Sequence, residues 1–172
     1  ELADYSGRIG LKDVTFAYPG DNSPLFESLS FALEPGQVMV VSGANGSGKS
    51  TLAALILGLL EPLRGTVTAE GVDLRQLATP WWRRQLSYLP QQIQFLNTSV
   101  ADNLLLANPD MDEAAISRVI QAAGFREVLA RLPNGLETVL QDQGENLSPG
   151  LRRRLGLARA LASPGRLVLW DE

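Results

Sequence analysis

The sequence predicts an α/β fold with a parallel sheet, an antiparallel β layer near the N-terminus and an inserted α-helical subdomain. Three observations lead to this prediction. A glycine-rich stretch at 43–51 stands between two apolar runs, two segments before it alternate apolar and polar residues, and helical spacing of apolar residues takes over from about residue 98. The 172 residues, 45% of them apolar and 20% charged, are enough for one domain with its own core.

The segments before residue 43 are predicted to be strands. Residues 8–16 alternate apolar and polar side chains with a change of phase at 12–13, which predicts a strand with a bulge. A second alternating strand, around 29–33, follows a loop rich in turn-forming residues. The largely apolar run 37–42 predicts a third strand, buried on both faces as in a parallel sheet.

The stretch after this third strand has the pattern of a phosphate-binding loop. Its residues, Gly43-Ala44-Asn45-Gly46-Ser47-Gly48-Lys49-Ser50-Thr51, fit G-x-x-x-x-G-K-[S/T] without a mismatch, and an apolar run that predicts a buried helix follows. In such a loop, backbone N–H groups converge on phosphate oxygens at the positive end of the helix. Lys49 would reach the β- and γ-phosphates and Ser50 would supply a hydroxyl to Mg²⁺. A chance glycine-rich turn is the alternative.

Short strands at 66–69 and 87–90 come next, and then the pattern becomes helical. Asp110 and Glu113 have the spacing of a capping box, with Asp in place of Ser or Thr, so they predict the start of a helix. An apolar stripe at helical spacing follows them. Gly124 closes this stripe and predicts the end of the helix.

A longer helix is predicted to begin at Ser148. Ser148 is a good N-cap, and Pro149 occupies the first helical position, where a missing N–H costs the helix nothing. Residues 152–154, three arginines in a row, are interpreted as the solvated face of this helix. The Ser-Pro-Gly sequence at 163–165 ends it.

Composition argues against several classes of function. A net charge of −4 and a pI near 4.9 give no basic footprint, so nucleic-acid binding is not expected. The chain has no cysteine and no histidine, so a general base must be a carboxylate or water. The longest apolar run, 52–60, is far shorter than the ~18 residues that span a bilayer, and no signal peptide precedes it. The fragment itself is therefore expected to be soluble and cytoplasmic.

The chain closes on an apolar strand, 167–170, followed by Asp171 and Glu172. Ligands of open α/β sheets lie at the carboxyl ends of strands, and Mg²⁺ prefers oxygen ligands and keeps several waters. Asp171 is therefore expected to hold a Mg²⁺-bound water. Glu172 is expected to orient and deprotonate the attacking water. The alternative is an acidic pair at an ordinary strand end.

Taken together, the motifs resemble those of the ATP-binding cassette (ABC) ATPases, in the order in which that family has them. Tyr18 matches the aromatic that stacks on adenine, although outside this context a half-buried strand tyrosine would be favoured. Gln91, in Tyr88-Leu89-Pro90-Gln91, matches the glutamine that touches Mg²⁺ and water and joins two lobes; its alternative is a loop glutamine. Residues 147–154 occupy the place of the signature L-S-G-G-Q, and residues 167–172 that of the Walker B strand.

The resemblance extends to one branch of the family, the exporters. Residues 95–104 and the opening 9–19 look like that branch. The resemblance to the family implies a P-loop NTPase core. It also implies a single ABC ATPase domain over 1–172 that is C-terminally incomplete. Residues 1–90 and 156–172 would form the α/β core lobe, and residues 91–155 a helical lobe that carries the signature.

The signature departs from the family pattern. Pro149 stands where the family has its first glycine, and Leu151 stands where it has glutamine. In the family the signature of one subunit closes over the γ-phosphate held by the other, which implies that Ser148 and Gly150 bind nucleotide across a dimer. Proline removes one N–H and stiffens the turn, so this contact is expected to be usable but weakened.

The implied function is ATP binding and hydrolysis, with Mg²⁺, as the nucleotide-binding domain of an ABC exporter. Its partners would be a second nucleotide-binding domain, identical or not, and a transmembrane domain on the same polypeptide, at the cytoplasmic face of the plasma (inner) membrane. Activity would require the dimer and a further C-terminal segment. Two alternatives stay open: a soluble ABC ATPase without transport, and a regulatory ATP-binding module with weak turnover.

Overall fold

The computed structural model describes residues 5–171, which pack as two compact units. The first contains the described residues up to Leu86 together with Gly165–Asp171, and the second contains Ser87–Pro164. The strands are Ile9–Phe16 (β1), Phe26–Leu33 (β2), Arg64–Ala69 (β3), Val72–Asp73 (β4), Leu86–Leu89 (β5) and Leu167–Trp170 (β6). The helices are Lys49–Ile56 (α1), Thr79–Arg84 (α2), Val100–Leu105 (α3), Glu113–Ala122 (α4), Arg126–Leu129 (α5) and Pro149–Ala162 (α6).

Four strands of the first unit form an antiparallel sheet in the order β2-β1-β3-β4. The bulge predicted in β1 is confirmed, because its register with both neighbouring strands shifts after 11–12 and Asp13 adopts a φ of 51°. This extra residue changes the phase of the alternation, so Ile9 and Leu11 before it and Val14 and Phe16 after it are all buried. β5 and β6 lie outside this antiparallel sheet, and the predicted α/β class is confirmed.

The helix that follows the glycine-rich loop, α1, packs into the core and is anchored near its C-terminus. Thr51, Leu52 and Leu55 are its buried residues. Near its C-terminus, the indole Nε1 of Trp82 in α2 donates a hydrogen bond of 3.0 Å to the Ile56 carbonyl. Because Trp82 is itself only 2% exposed, this bond lies in the core and fixes the direction of α1.

The strand predicted at 37–42 is wrong for this structure. The segment pairs with no strand among residues 5–171, and its apolar side chains are exposed, to 89% at Val38 and 84% at Val40. A run that is apolar on both faces becomes a strand only where neighbouring strands satisfy its backbone and cover its side chains. Within the part of the chain that the structure describes, neither condition is met.

The second unit is a helical cluster around one apolar core. Its fully buried members include Leu104 of α3, Phe125, Leu140 and Leu155 of α6. The helix α4 begins two residues later than predicted: the N-cap is Asp112, whose carboxylate accepts a hydrogen bond of 2.7 Å from the Ala115 N–H. The predicted end at Gly124 is confirmed by its φ of 62°.

The loop before α3 is fixed by the side chain of Asn103. Asn103 has no exposed surface, and its amide oxygen accepts a hydrogen bond of 2.9 Å from the Leu96 N–H. Its Nδ2 donates to the carbonyls of Leu96 and Ser99, both at 3.0 Å. One buried amide therefore satisfies three backbone groups of residues 96–99, which gives this loop a defined shape.

Candidate nucleotide-binding site

The glycine-rich loop turns directly into α1. Gly46 and Gly48 have φ values of 81° and 95°, in the left-handed region that favours glycine. Gly48 is the N-cap residue, and a Cβ there would lie 2.7 Å from the Phe26 ring, so the loop also needs glycine for close packing. No side chain caps α1 and no acidic residue lies in its first turn. The positive end of the helix is therefore available to an anion.

Lys49 lies across this loop. Its Nζ donates hydrogen bonds to the carbonyls of Gly43 at 2.9 Å and Ala44 at 3.0 Å. These neutral acceptors are weaker partners for an ammonium group than a phosphate oxygen. Lys49 is therefore a cation held over the loop by contacts that an anionic ligand can replace.

Tyr18 is tied to the first turn of α1. It lies beyond the end of β1, where its hydroxyl is 2.8 Å from Oγ1 of Thr51 and its ring meets Phe16 edge-on, at 5.0 Å between ring centroids. Thr51 is 7% exposed, whereas Tyr18 is 43% exposed. The contact places a partly exposed aromatic side chain beside the loop. The register of β1 and the buried threonine hold it there.

The predicted metal ligands of the first unit are Ser50 and Asp171. Ser50 is exposed in the first turn of α1, and Asp171 is partly buried directly after β6. Between residues 5 and 171 Asp171 forms no hydrogen bond or ion pair with the loop, and no group of three or more acidic, His or Cys side chains could hold a metal alone. An oxygen-only donor set with few protein ligands fits Mg²⁺ held mainly by phosphates and water. Glu172 lies outside the described residues.

The remaining predicted residues belong to the second unit. Gln91 is exposed, and it lines an open groove of about 500 Å³ together with Pro149. Ser148 is the N-cap residue of α6, as predicted, but its exposed hydroxyl makes no capping hydrogen bond. Around Gly150 nothing lies within 4 Å of the place where a Cβ would be. The start of α6 is therefore open to a ligand or to another chain.

The interpretation of the three arginines of α6 as a solvated face is wrong for Arg152, which is partly buried, and it fits Arg153 and Arg154, which are exposed. Arg152 Nη2 donates a hydrogen bond of 3.2 Å to the Ile93 carbonyl, and Arg154 Nη1 donates one of 3.1 Å to the Gly124 carbonyl. Arg154 makes its bond from an exposed position, and Arg153 is exposed as well. A guanidinium carries five donors on a long stem, so it can cross a helix surface to reach carbonyls that sequence spacing alone does not reveal.

Sequence reasoning also missed Arg159, further along α6. Its Nη1 donates a hydrogen bond of 2.8 Å to the Gln94 carbonyl, and its guanidinium lies 4.9 Å from the centre of the Phe95 ring. Burial lowers the pKa of this guanidinium. The available signal was spacing: Arg152, Gly156 and Arg159 stand at i, i+4 and i+7 and therefore share one helix face.

A glycine loop with a lysine folded over it, at the start of a helix in an α/β unit, defines a P-loop nucleotide-binding domain. The family model described as "ABC transporter" matches residues 26–172, so the chain belongs to the ABC transporter family. Its sequence is 37% identical over 168 residues to the ATP-dependent lipid A-core flippase of Aromatoleum aromaticum, a match that covers 97% of this chain and 28% of that protein.

Two further relatives and one solved structure agree with this assignment. The alpha-hemolysin translocation ATP-binding protein HlyB of Escherichia coli is 33% identical, over 99% of this chain and 24% of its own length. The mycobactin import ATP-binding/permease protein IrtB of Mycolicibacterium smegmatis is 40% identical, over 96% and 28%. The structure of a bacterial Atm1-family ABC exporter with ATP bound matches with a TM-score of 0.93 at 26% identity, over 99% of this chain and 30% of that one.

The chain thus spans less than a third of the length of each of these proteins. Among residues 5–171, no helix combines the length and the apolar character needed to cross a membrane.

Proposed function

We propose that this chain is the ATP-binding domain of an ABC exporter and that it hydrolyses ATP to drive a substrate across a membrane. The observation that carries the proposal is the loop around Lys49, where an ammonium group lies over an uncapped helix N-terminus. Such an arrangement suits a triphosphate, because both the lysine and the backbone N–H groups favour negative charge. Export is proposed on the basis of the Atm1-family exporter and the relative named for hemolysin translocation, whereas one relative, IrtB, is named for mycobactin import.

Each side chain has a separate task in this proposal. Tyr18 stacks on adenine, Lys49 binds the β- and γ-phosphates together with the loop 43–48, and Ser50 and Asp171 hold Mg²⁺ and its waters. Mg²⁺ bound there neutralises charge on the phosphates. Gln91, in the second unit, keeps the Mg²⁺ and water contacts that the resemblance implies. Glu172, which directly follows Asp171, deprotonates the attacking water.

The proposal includes two partners. A second nucleotide-binding domain supplies its own signature, so that Ser148 and Gly150 of each subunit contact the γ-phosphate held by the other. The exposed start of α6, with an uncommitted Ser148 hydroxyl, supports this role. The second partner is a transmembrane domain on the same polypeptide, whose conformational change is driven by ATP hydrolysis. It places this domain at the cytoplasmic face of the inner membrane. The curated relatives, more than three times as long as this chain, support that partner.

The experiment is ATP hydrolysis and substrate transport by the full-length protein in lipid vesicles, compared with the Glu172→Gln variant. Glutamine keeps the shape of the side chain but cannot accept the proton of the attacking water. We expect kcat to fall by about a hundredfold, while the Kd for ATP changes by less than about twofold. A wild-type protein that hydrolyses ATP no faster than Glu172→Gln would show that it is a binding module without turnover.

The proline of the signature gives a second expected result. Pro149→Gly restores a backbone N–H beside the exposed Ser148 hydroxyl, so one more donor can reach the γ-phosphate of the partner subunit. Because a net hydrogen bond contributes about 0.5–1.5 kcal/mol, we expect kcat to rise by about two- to tenfold. Pro133→Gly, at an exposed loop proline of the same unit, is the control. Equal ATPase rates for the two variants would contradict the weakened contact.

A further inference from the structure

The segment 93–95, which follows Gln91 by two residues, is held on one face of α6. Arg152 binds the Ile93 carbonyl, and Arg159 binds the Gln94 carbonyl at 2.8 Å. Between these two bonds the Ile93 side chain lies on the helix backbone at Gly156, where an added Cβ would be only 2.5 Å from its Cδ1. Two arginines and the glycine at 156 therefore hold Ile93 and Gln94 against the helix.

The Phe95 ring packs between α6 and the turn that precedes the signature. One side of the ring meets the Arg159 guanidinium, and its edge lies against Gly144, where an added Cβ would be 2.7 Å from Cδ2. Asn97 supports the same turn, because its Oδ1 accepts a hydrogen bond of 2.9 Å from the Gln143 N–H. Gly144 comes four residues before Ser148, so the ring links the segment after Gln91 to the turn that leads into the signature.

Arg159 is the centre of this arrangement and is an unusual residue to find there. No carboxylate among residues 5–171 pairs with it, and its charge is compensated only by a carbonyl and the face of a ring. Withdrawing part of a guanidinium from water without an anionic partner is unfavourable, and burial accordingly lowers the pKa of Arg159. Methionine has a similar length and carries no charge, so Arg159→Met tests whether the guanidinium is needed at this position.

We propose that Arg159 is a positioning residue for ATP hydrolysis, which holds the segment carrying Gln91 in register with the signature turn through Gln94 and Phe95. The inference rests on the proposed function, because it acts through Gln91 and Ser148. Releasing the segment lets Gln91 move by an ångström or more relative to α6. Misplacement on that scale affects the chemical step more than the binding of ATP, whose phosphates are held by the other unit.

The test compares Arg159→Met with Arg118→Met, the same change at an exposed arginine of α4, in the full-length protein in lipid vesicles. For Arg159→Met we expect kcat to fall by about tenfold or more, with the Kd for ATP within about twofold of wild type. Amide hydrogen exchange should rise by about tenfold at 93–97 and stay unchanged in α4. Arg159→Lys, which keeps the charge over Phe95, should recover part of kcat.

Two results would overturn the positioning role. The first is a kcat for Arg159→Met within twofold of that for Arg118→Met. The second is faster exchange across all helices of the unit with no recovery in Arg159→Lys, which would make Arg159 a residue of general stability. Failure of the proposed function is distinguishable, because it appears in the wild-type protein as absent ATPase activity. The exchange at 93–97 still reports whether Arg159 holds the segment.

Discussion

Replacing Lys49 by methionine is expected to lower kcat/KM for ATP hydrolysis by about a thousandfold. Methionine keeps much of the aliphatic stem but removes the ammonium group that lies 2.9 Å and 3.0 Å from the two loop carbonyls. A charge-assisted hydrogen bond to phosphate contributes about 1.5–3 kcal/mol to binding, and its stabilisation grows as charge develops on the transferred phosphoryl group. The loss should therefore appear in both the Kd for ATP and kcat.

The chain offers a matched control, because its other lysine, Lys12, is exposed on β1 of the same unit. Lys12→Met removes the same charge and should leave both constants within about twofold. Equilibrium binding of a fluorescent ATP analogue and steady-state hydrolysis measure the two effects separately. An unchanged Kd for Lys49→Met, in a protein that melts like wild type, would remove the phosphate-loop assignment.

The phosphate loop is predictable from sequence because its determinants are local. The glycine positions, the lysine and the following helix lie within one short stretch, and each is needed for a reason that backbone geometry supplies. Tyr18 is different, because its contact with Thr51 spans 33 residues and depends on where β1 ends. From the sequence alone, the adenine-stacking role of Tyr18 rests only on the resemblance to the ABC family. The structure adds the hydroxyl bond that places it.

The residues that sequence reasoning missed act at long range. Arg152 and Arg159 reach carbonyls 59 and 65 residues away, and nothing in the spacing of residues 91–97 identifies those carbonyls as acceptors. The wrong strand prediction at 37–42 has a related cause. An apolar run specifies that a segment can be buried, but its neighbours decide whether it becomes a strand. In both cases the missing information concerns partners distant in the chain rather than local propensity.

The first unit requires glycine at position 65, and Gly65→Ala is expected to destabilise it by more than about 4 kcal/mol. Gly65 lies in β3 opposite the bulge of β1, with a φ of 80°. A Cβ at this position would overlap the carbonyl oxygens of Lys12 and Asp13. These are backbone atoms of the bulge itself, so no side chain can rotate away, and relief requires β1 and β3 to separate. Sequence predicts the bulge but not the glycine that accommodates it.

Gly71→Ala is the control that distinguishes steric overlap at Gly65 from the strain of a positive φ alone. Gly71 has nearly the same φ, 81°, but nothing lies within 4 Å of the place where its Cβ would be. It should cost about 1–2 kcal/mol, the usual penalty for a left-handed L-residue. In thermal unfolding we expect Gly65→Ala to melt about 10 °C below wild type and clearly below Gly71→Ala. Equal melting temperatures would mean that the bulge relaxes around a methyl group. In that case β1 would not hold Tyr18 rigidly beside α1.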